Sequence, residues 1–168
     1  MAYRVLLDTS FLSALVDEHA PARPRPEGLS GTVKQRLDFL WLSLEKAQSE
    51  IIIPAPALAE VLCRRDIENT NVLEVLGSSH RIRITSFDER VAVEFGEMFR
   101  ERRGRQPPST GGKVKFKFDL MILAMARIEG ASVIYTDDDD LRAKSIATGI
   151  HAEGFWQLDL PPQQSLPV

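Results

Sequence analysis

A single cysteine, Cys63, among 168 residues excludes an internal disulfide and any zinc site built on several thiolates. Histidine is scarce as well: His19, His80 and His151 stand far apart, and none falls in a spaced metal-binding pattern. No apolar run approaches the ~18 residues of a membrane span. The opening MAYRVLLDTS holds too short an apolar stretch for a secretory signal, so a reducing, cytoplasmic setting is expected. A positive excess is missing too. With 21 Lys and Arg against 24 Asp and Glu, the net charge of −3 argues against a protein that coats nucleic acid. Two common catalytic signatures also fail. GGKV at residues 111–114 lacks the upstream glycine and the hydroxyl residue of a phosphate-binding loop, and GLSG at 28–31 is no nucleophile elbow.

What remains is the composition of an ordinary globular protein, 43% hydrophobic and 27% charged, at a length that suits one core. One domain over residues 1–160 and a frayed tail over 161–168 are expected. RVLLD begins the chain as a short buried strand closed by an acid, and Phe11, Leu12 and Leu15 then follow at helical spacing. Residues 20–31, with three prolines and two glycines, form a loop. Val33, Leu37, Leu40, Trp41 and Leu44 mark one face of a second helix over 32–48. A strand at 51–53 leads through Pro54 and Pro56 into a helix running to about Arg65. A short helix at 72–76, a strand at 81–85 and an amphipathic helix over 88–103 come next. A loop at 104–112 precedes an apolar helix over 116–129 that Gly130 ends. Residues 132–135 form a fourth strand, followed by a helix to about Thr148, and a last strand is expected near 155–158.

Strands separated by helices imply right-handed crossovers and a mostly parallel sheet of four or five strands between two helical layers, an α/β fold. Such sheets carry their functional groups outside the carboxyl ends of the strands. Asp8 closes the first strand and the run Asp137 to Asp140 closes the fourth, so both belong on one edge.

Each acid also has a purely structural explanation. Asp8 sits where an N-cap is favoured, worth ~1 kcal/mol. Glu60 is placed to pair with Arg64 four positions on. Asp119 reads as a first-turn acid at a helix start. Four consecutive aspartates are harder to explain, because they repel one another unless a cation neutralises them. Basic residues gather elsewhere: Arg100, Arg102, Arg103, Arg105, Lys113, Lys115 and Lys117, with Glu101 the one acid among them. A stretch of that kind suits a phosphate backbone, although a solvated loop and helix end explain it equally well.

Four stations in order carry a resemblance: VLLDTS with Asp8, Thr9 and Ser10; IPAPALAEVL with Glu60; FDLMILAMA with Asp119; and VIYTDDDDL with Thr136 and the acidic run. Together they resemble the PIN domain, a family of metal-dependent ribonucleases that includes the toxins of VapBC-type toxin–antitoxin pairs. The resemblance spans residues 5–141. It implies a carboxylate site of Asp8, Glu60, Asp119 and Asp138 holding Mg²⁺ or Mn²⁺, the metals that hard oxygen ligands select. Asp140, Thr136 and Ser10 would support it. It further implies in-line hydrolysis of RNA to a 5′-phosphate and a 3′-hydroxyl, a homodimer and, for a toxin, a cognate antitoxin. The sequence departs from the family pattern in two ways. Leu141 stands where an aromatic is usual, and Asp137 and Asp139 fill variable positions, leaving the register of the metal-holding aspartate open by one. The loops at 20–31 and 104–115 are long for a minimal toxin.

Two rival readings use the same residues. One is a catalytically inactive PIN-like scaffold that binds RNA or protein. The other is a phosphatase with Asp8 as nucleophile, which needs a second acid two residues on, where Ser10 stands.

Overall fold

Five short strands alternate with helices along the chain: β1 (Arg4–Leu7), α1 (Thr9–Val16), α2 (Val33–Lys46), β2 (Glu50–Pro54), α3 (Ala55–Leu62), α4 (Asn69–Gly77), β3 (Ile82–Thr85), α5 (Glu89–Arg102), α6 (Gly112–Glu129), β4 (Val133–Tyr135), α7 (Asp139–Ala147), β5 (His151–Glu153) and a 3₁₀ turn, Phe155–Gln157. The structure, a computed structural model, describes residues 3–17, 19–64, 69–102 and 112–162. Most of the tail expected at 161–168, from residue 163 on, therefore lies outside the described residues.

The strands pair in the order β3-β2-β1-β4-β5, and every pair is parallel. Alternation along each strand separates the two faces of the sheet. Leu6, Ile52, Ile134 and Ala152 pack on one side with the buried face of α6 and with Val91 and Met98 of α5. Val5, Leu7 and Tyr135 pack on the other with Phe11 of α1, Leu37, Leu40 and Leu44 of α2, and Phe155. A third cluster joins Leu12, Ile53, Leu58, Val61, Val72 and Leu76 beneath α3 and α4. This is a three-layer α/β/α fold with a five-stranded parallel sheet. Phe11 anchors its second face, with its ring 4.4 Å from Phe155 and 5.4 Å from Tyr135. Such ring pairs add ~0.5–1.5 kcal/mol beyond simple burial.

Two elements differ from the sequence expectation. The fifth strand is His151–Glu153, whereas Phe155–Gln157 turns as a 3₁₀ helix. Aromatic residues there suggest a strand, but Phe155 is buried between layers, and the side chain of Gln157 accepts from the Gly154 N–H to close the turn. Helix α6 begins at Gly112, four residues before the expected start, and this places Lys115 on the helix. Asp119 consequently lies about two turns inside α6 rather than in its first turn. The macrodipole explanation for that residue no longer applies.

Strand β1 has β2 on one side and β4 on the other, so the order of crossovers reverses between β1 and β4. A parallel sheet opens a crevice at that point, outside the strand ends. Asp8 follows β1 and Thr136 follows β4, which sets both residues at the mouth of the crevice.

Candidate active site

An open cleft of about 890 Å³ lies at this reversal point, and Asp8, Glu60, Asp119 and Asp138 all line it. Thr9, Ser10, Ser13, Arg23, Arg64, Lys115 and Phe118 complete much of its wall. Two of the four acids stand at helix N-cap positions, Asp8 and Asp138, and two lie inside helices, Glu60 and Asp119. β1 delivers Asp8, α3 delivers Glu60, α6 delivers Asp119, and the β4–α7 turn delivers Asp138.

Asp8 occupies the N-cap position of α1 in extended backbone, yet its side chain caps nothing. Its Oδ2 instead accepts from the Thr136 hydroxyl at 2.8 Å. The residue is only 7% exposed, and burial pushes its carboxyl up to about 6. The Thr9 backbone and the Thr136 hydroxyl counter that shift, while the charges of Glu60 and Asp138 add to it. A buried carboxylate beside like charges is one that a cation would stabilise.

Glu60 is an exposed residue whose Oε2 accepts from the Thr9 hydroxyl at 2.6 Å. Arg64, its expected i+4 partner, lies 3.7 Å from Asp17. Asp119 is 4% exposed, and its Oδ2 accepts from Lys144 Nζ of α7. Burial raises the Asp119 carboxyl, and Lys144 offsets part of that rise.

The acidic run divides by position. Asp138 is the true N-cap of α7: its Oδ1 accepts from the backbone N–H of Asp140 at 2.8 Å and of Leu141 at 3.2 Å. Its Oδ2 faces Lys115 Nζ at 3.0 Å. Burial alone would raise this carboxyl, but Lys115 and the two N–H groups outweigh it and hold Asp138 below the ordinary range. Asp137 lies 3.7 Å from Arg23, and Asp139 is bonded by both Arg23 and Arg142. Asp140 is exposed and paired with Lys115 at 2.8 Å, outside the cleft lining. Of the four, Asp137 and Asp138 line the cleft, and arginine already faces Asp137.

The hydroxyl residues act as braces. Thr136 donates to Asp8 and accepts from the Asp138 N–H at 3.1 Å, joining the two strand ends in one side chain. Ser10 accepts from the Asp137 N–H at 2.9 Å. Gly154 lets the chain after β5 lie against this turn, because a Cβ there would meet Arg142, Asp137 and the Thr136 carbonyl.

The basic segment is brought to the site only in part. Lys115 lines the cleft, whereas Lys113 and Lys117 are exposed on α6. Arg102 stands behind α6 beside Lys144, with Nη2 3.5 Å from its carbonyl. Arg103 and Arg105 lie outside the described residues. Sequence reasoning missed Arg23, Arg142 and Lys144. Arg23 sits in the Pro-rich loop, where no periodicity points it anywhere. A hydrogen bond from Trp156 Nε1 to its carbonyl at 2.9 Å ties that loop to the site. Arg142 and Lys144 follow Asp138 and Asp140 by one helical turn each, a spacing that marks them as partners for acids at this end of α7.

The donors suit a hard divalent cation in kind, since all are carboxylate oxygens. Their spacing is open: among the described residues no three His, Cys, Asp or Glu side chains stand close enough to enclose an ion. Lysines draw two of the four, Asp119 and Asp138, while Asp8 and Glu60 accept only from neutral groups among the contacts described.

Known proteins share this fold. A structure of the toxin VapC20 from Mycobacterium tuberculosis, described as cleaving the sarcin–ricin loop, is similar over 83% of this chain and 94% of its own, at 17% identity and a TM-score of 0.54. VapBC2 from Rickettsia felis, solved with a promoter DNA fragment, matches over 90% and 98% at 19% identity and a TM-score of 0.56. DNA-bound VapBC from Salmonella typhimurium matches over 91% and 98% at 20% identity and 0.55. At these identities the likeness establishes the fold. No curated protein matches the chain in sequence. The profile of the PIN domain matches residues 5–146, so the chain belongs to the PIN-domain family.

Proposed function

We propose that this protein is a metal-dependent endoribonuclease acting through Asp8, Glu60, Asp119 and Asp138, and that it is the toxin of a toxin–antitoxin pair. The observation that carries the reading is Asp8. It is a buried carboxylate at the end of the central strand, free of any capping duty, and raised to about 6 beside two other acids. A group so placed lowers stability unless a cation balances it, which is the arrangement of a site built for function rather than for stability.

Asp8, Glu60, Asp119 and Asp138 would hold Mg²⁺ or Mn²⁺, which when bound supplies an activated water and charge stabilisation at the phosphate. The chain's own groups do the rest. Thr136 fixes the Asp8 carboxylate and Thr9 fixes that of Glu60, so both keep one orientation towards the cleft. Lys115 and Arg23, on the cleft wall, are placed to meet the phosphate backbone of an incoming strand. Water adds to phosphorus as the bond to the 3′-oxygen breaks, and the 3′-oxygen takes a proton. The products are a 5′-phosphate and a 3′-hydroxyl.

The toxin assignment rests on the family and on neighbours solved as VapBC complexes. It brings with it a homodimer and a cognate antitoxin. Incubation of a mixed RNA pool with the protein and Mn²⁺, with EDTA, and with Asp8→Asn tests the reading. Wild type should cleave only with the metal, and Asp8→Asn should lose on the order of 10³-fold in rate with its circular dichroism unchanged. Cleavage by Asp8→Asn at the wild-type rate would exclude this site.

A further inference from the structure

The two lysines at the site are held very differently, and the difference bears on how many ions the centre takes. Lys115 lies on the cleft wall with 49% of its side chain exposed, and it shares itself between Asp138 and Asp140. Lys144 reaches Asp119 from behind. It is absent from the cleft lining and faces a separate cavity with Arg102 and Phe116, and 22% of its side chain is exposed. Its ammonium lies 5.4 Å from the centroid of the Phe116 ring, a cation–π contact. Phe116 is itself fixed by ring contacts at 6.2 Å to Phe99 and, through it, at 6.0 Å to Phe95. Lys144 is thus a seated cation, while Lys115 is one that can leave.

We propose that Lys144 takes the place of a second metal ion at Asp119, so that the centre binds one divalent ion per chain. This rests on the metal-site reading above and deepens it. A two-ion centre needs carboxylates that face both ions. Asp119 has one oxygen, Oδ2, already facing a fixed positive charge. A second divalent ion on that side would meet the ammonium at short range with little water between them, where like charges repel strongly. The other Asp119 oxygen, together with Asp8, Glu60 and Asp138, would serve a single ion. Lys144 is accordingly a positioning residue: it orients Asp119 and fixes the count of ions, without touching the substrate.

Mn²⁺ titration by calorimetry, with electron paramagnetic resonance of the loaded protein, tests this without any RNA present. Wild type should bind one Mn²⁺ per chain and give the spectrum of an isolated ion. Lys144→Met should approach two ions per chain and show spin coupling, and Lys144→Arg should return to one. Two coupled ions in the wild type overturn the proposal and leave the metal-site reading standing. A stoichiometry that stays at one in Lys144→Met also overturns it. No binding to any of the three proteins sinks the metal-site reading and this inference together. Should Lys144→Met fail to fold, the wild-type spectrum still decides between one ion and two.

Discussion

Two strand-to-helix turns meet at the cleft, and each opens with an aspartate at the N-cap position. After β1, Asp8 is buried, leaves its helix uncapped and is raised to about 6. After β4, Asp138 caps α7 with one oxygen, pairs with Lys115 through the other, and is held below the ordinary carboxylate range. The same residue type at the same local position therefore has opposite effects. Asp138 stabilises the fold whether or not it has a second role. Asp8 costs stability when ionised, the pattern of a carboxyl placed for reactivity rather than for the fold.

The largest expected effect follows from the sign of the Asp8 shift. A carboxyl raised in the folded state binds protons there that the unfolded chain has already released. Its contribution to stability therefore falls as pH rises from about 4 to about 6. The full difference is roughly 3 kcal/mol. Asp8→Asn should match wild type in urea unfolding near pH 4 and exceed it by up to that amount at pH 7. Mn²⁺ should narrow the gap by stabilising wild type alone. Asp138→Asn should show the reverse trend, matching wild type at low pH and falling behind it above, because its carboxyl is lowered.

Next comes the brace that joins the turns. Thr136→Val keeps the shape but leaves Asp8 Oδ2 without its donor and the Asp138 N–H without its acceptor. A loss of ~1–3 kcal/mol is expected, measured as a drop in the denaturant midpoint at constant slope. An unchanged midpoint would mean that water replaces the hydroxyl and that the turns are independent.

A smaller effect separates cap from charge. Asp138→Ala should cost about 1 kcal/mol relative to Asp138→Asn, since asparagine caps as well as aspartate does. At the first turn the same pair, Asp8→Ala against Asp8→Asn, should show no such cap penalty. The smallest effect belongs to Lys115→Ala. It removes a half-exposed ion pair worth less than ~1 kcal/mol, so thermal unfolding should barely move. NMR titration should nevertheless find the Asp138 carboxyl higher than in wild type, closer to the behaviour of Asp8.

This contrast also explains what the sequence made legible. The parallel sheet followed from short apolar runs between amphipathic helices, and the strand ends pointed to the edge that carries Asp8 and the acidic run. Which aspartate caps was not legible, because both turns read alike locally and the deciding contacts lie 128 and 23 positions away, at Thr136 and Lys115. The extra turn at the start of α6 was hidden by Gly112 and the Pro- and Gly-rich sequence before it, which suggest a loop, and that turn is what carries Lys115 to the site. β5 was missed because His-Ala-Glu has neither β-branched nor aromatic residues and is defined only by pairing with β4. Arg23 was out of reach for a different cause: its position is set by Trp156, in the last described stretch of the chain.

The strand order has a bearing on when the protein acquires its chemistry. β1 emerges before β4 during synthesis and gains it as a neighbour only after residues 133–135 have been made. The Thr136 hydroxyl that orients Asp8, the Lys144 that seats Asp119 and the Asp138 turn all arrive later than that. A partly synthesised chain can carry Asp8 and Glu60 but cannot assemble the cleft. On the reading proposed above, in which the chain cuts RNA, this delay keeps the growing polypeptide from attacking its own message until synthesis has passed Lys144.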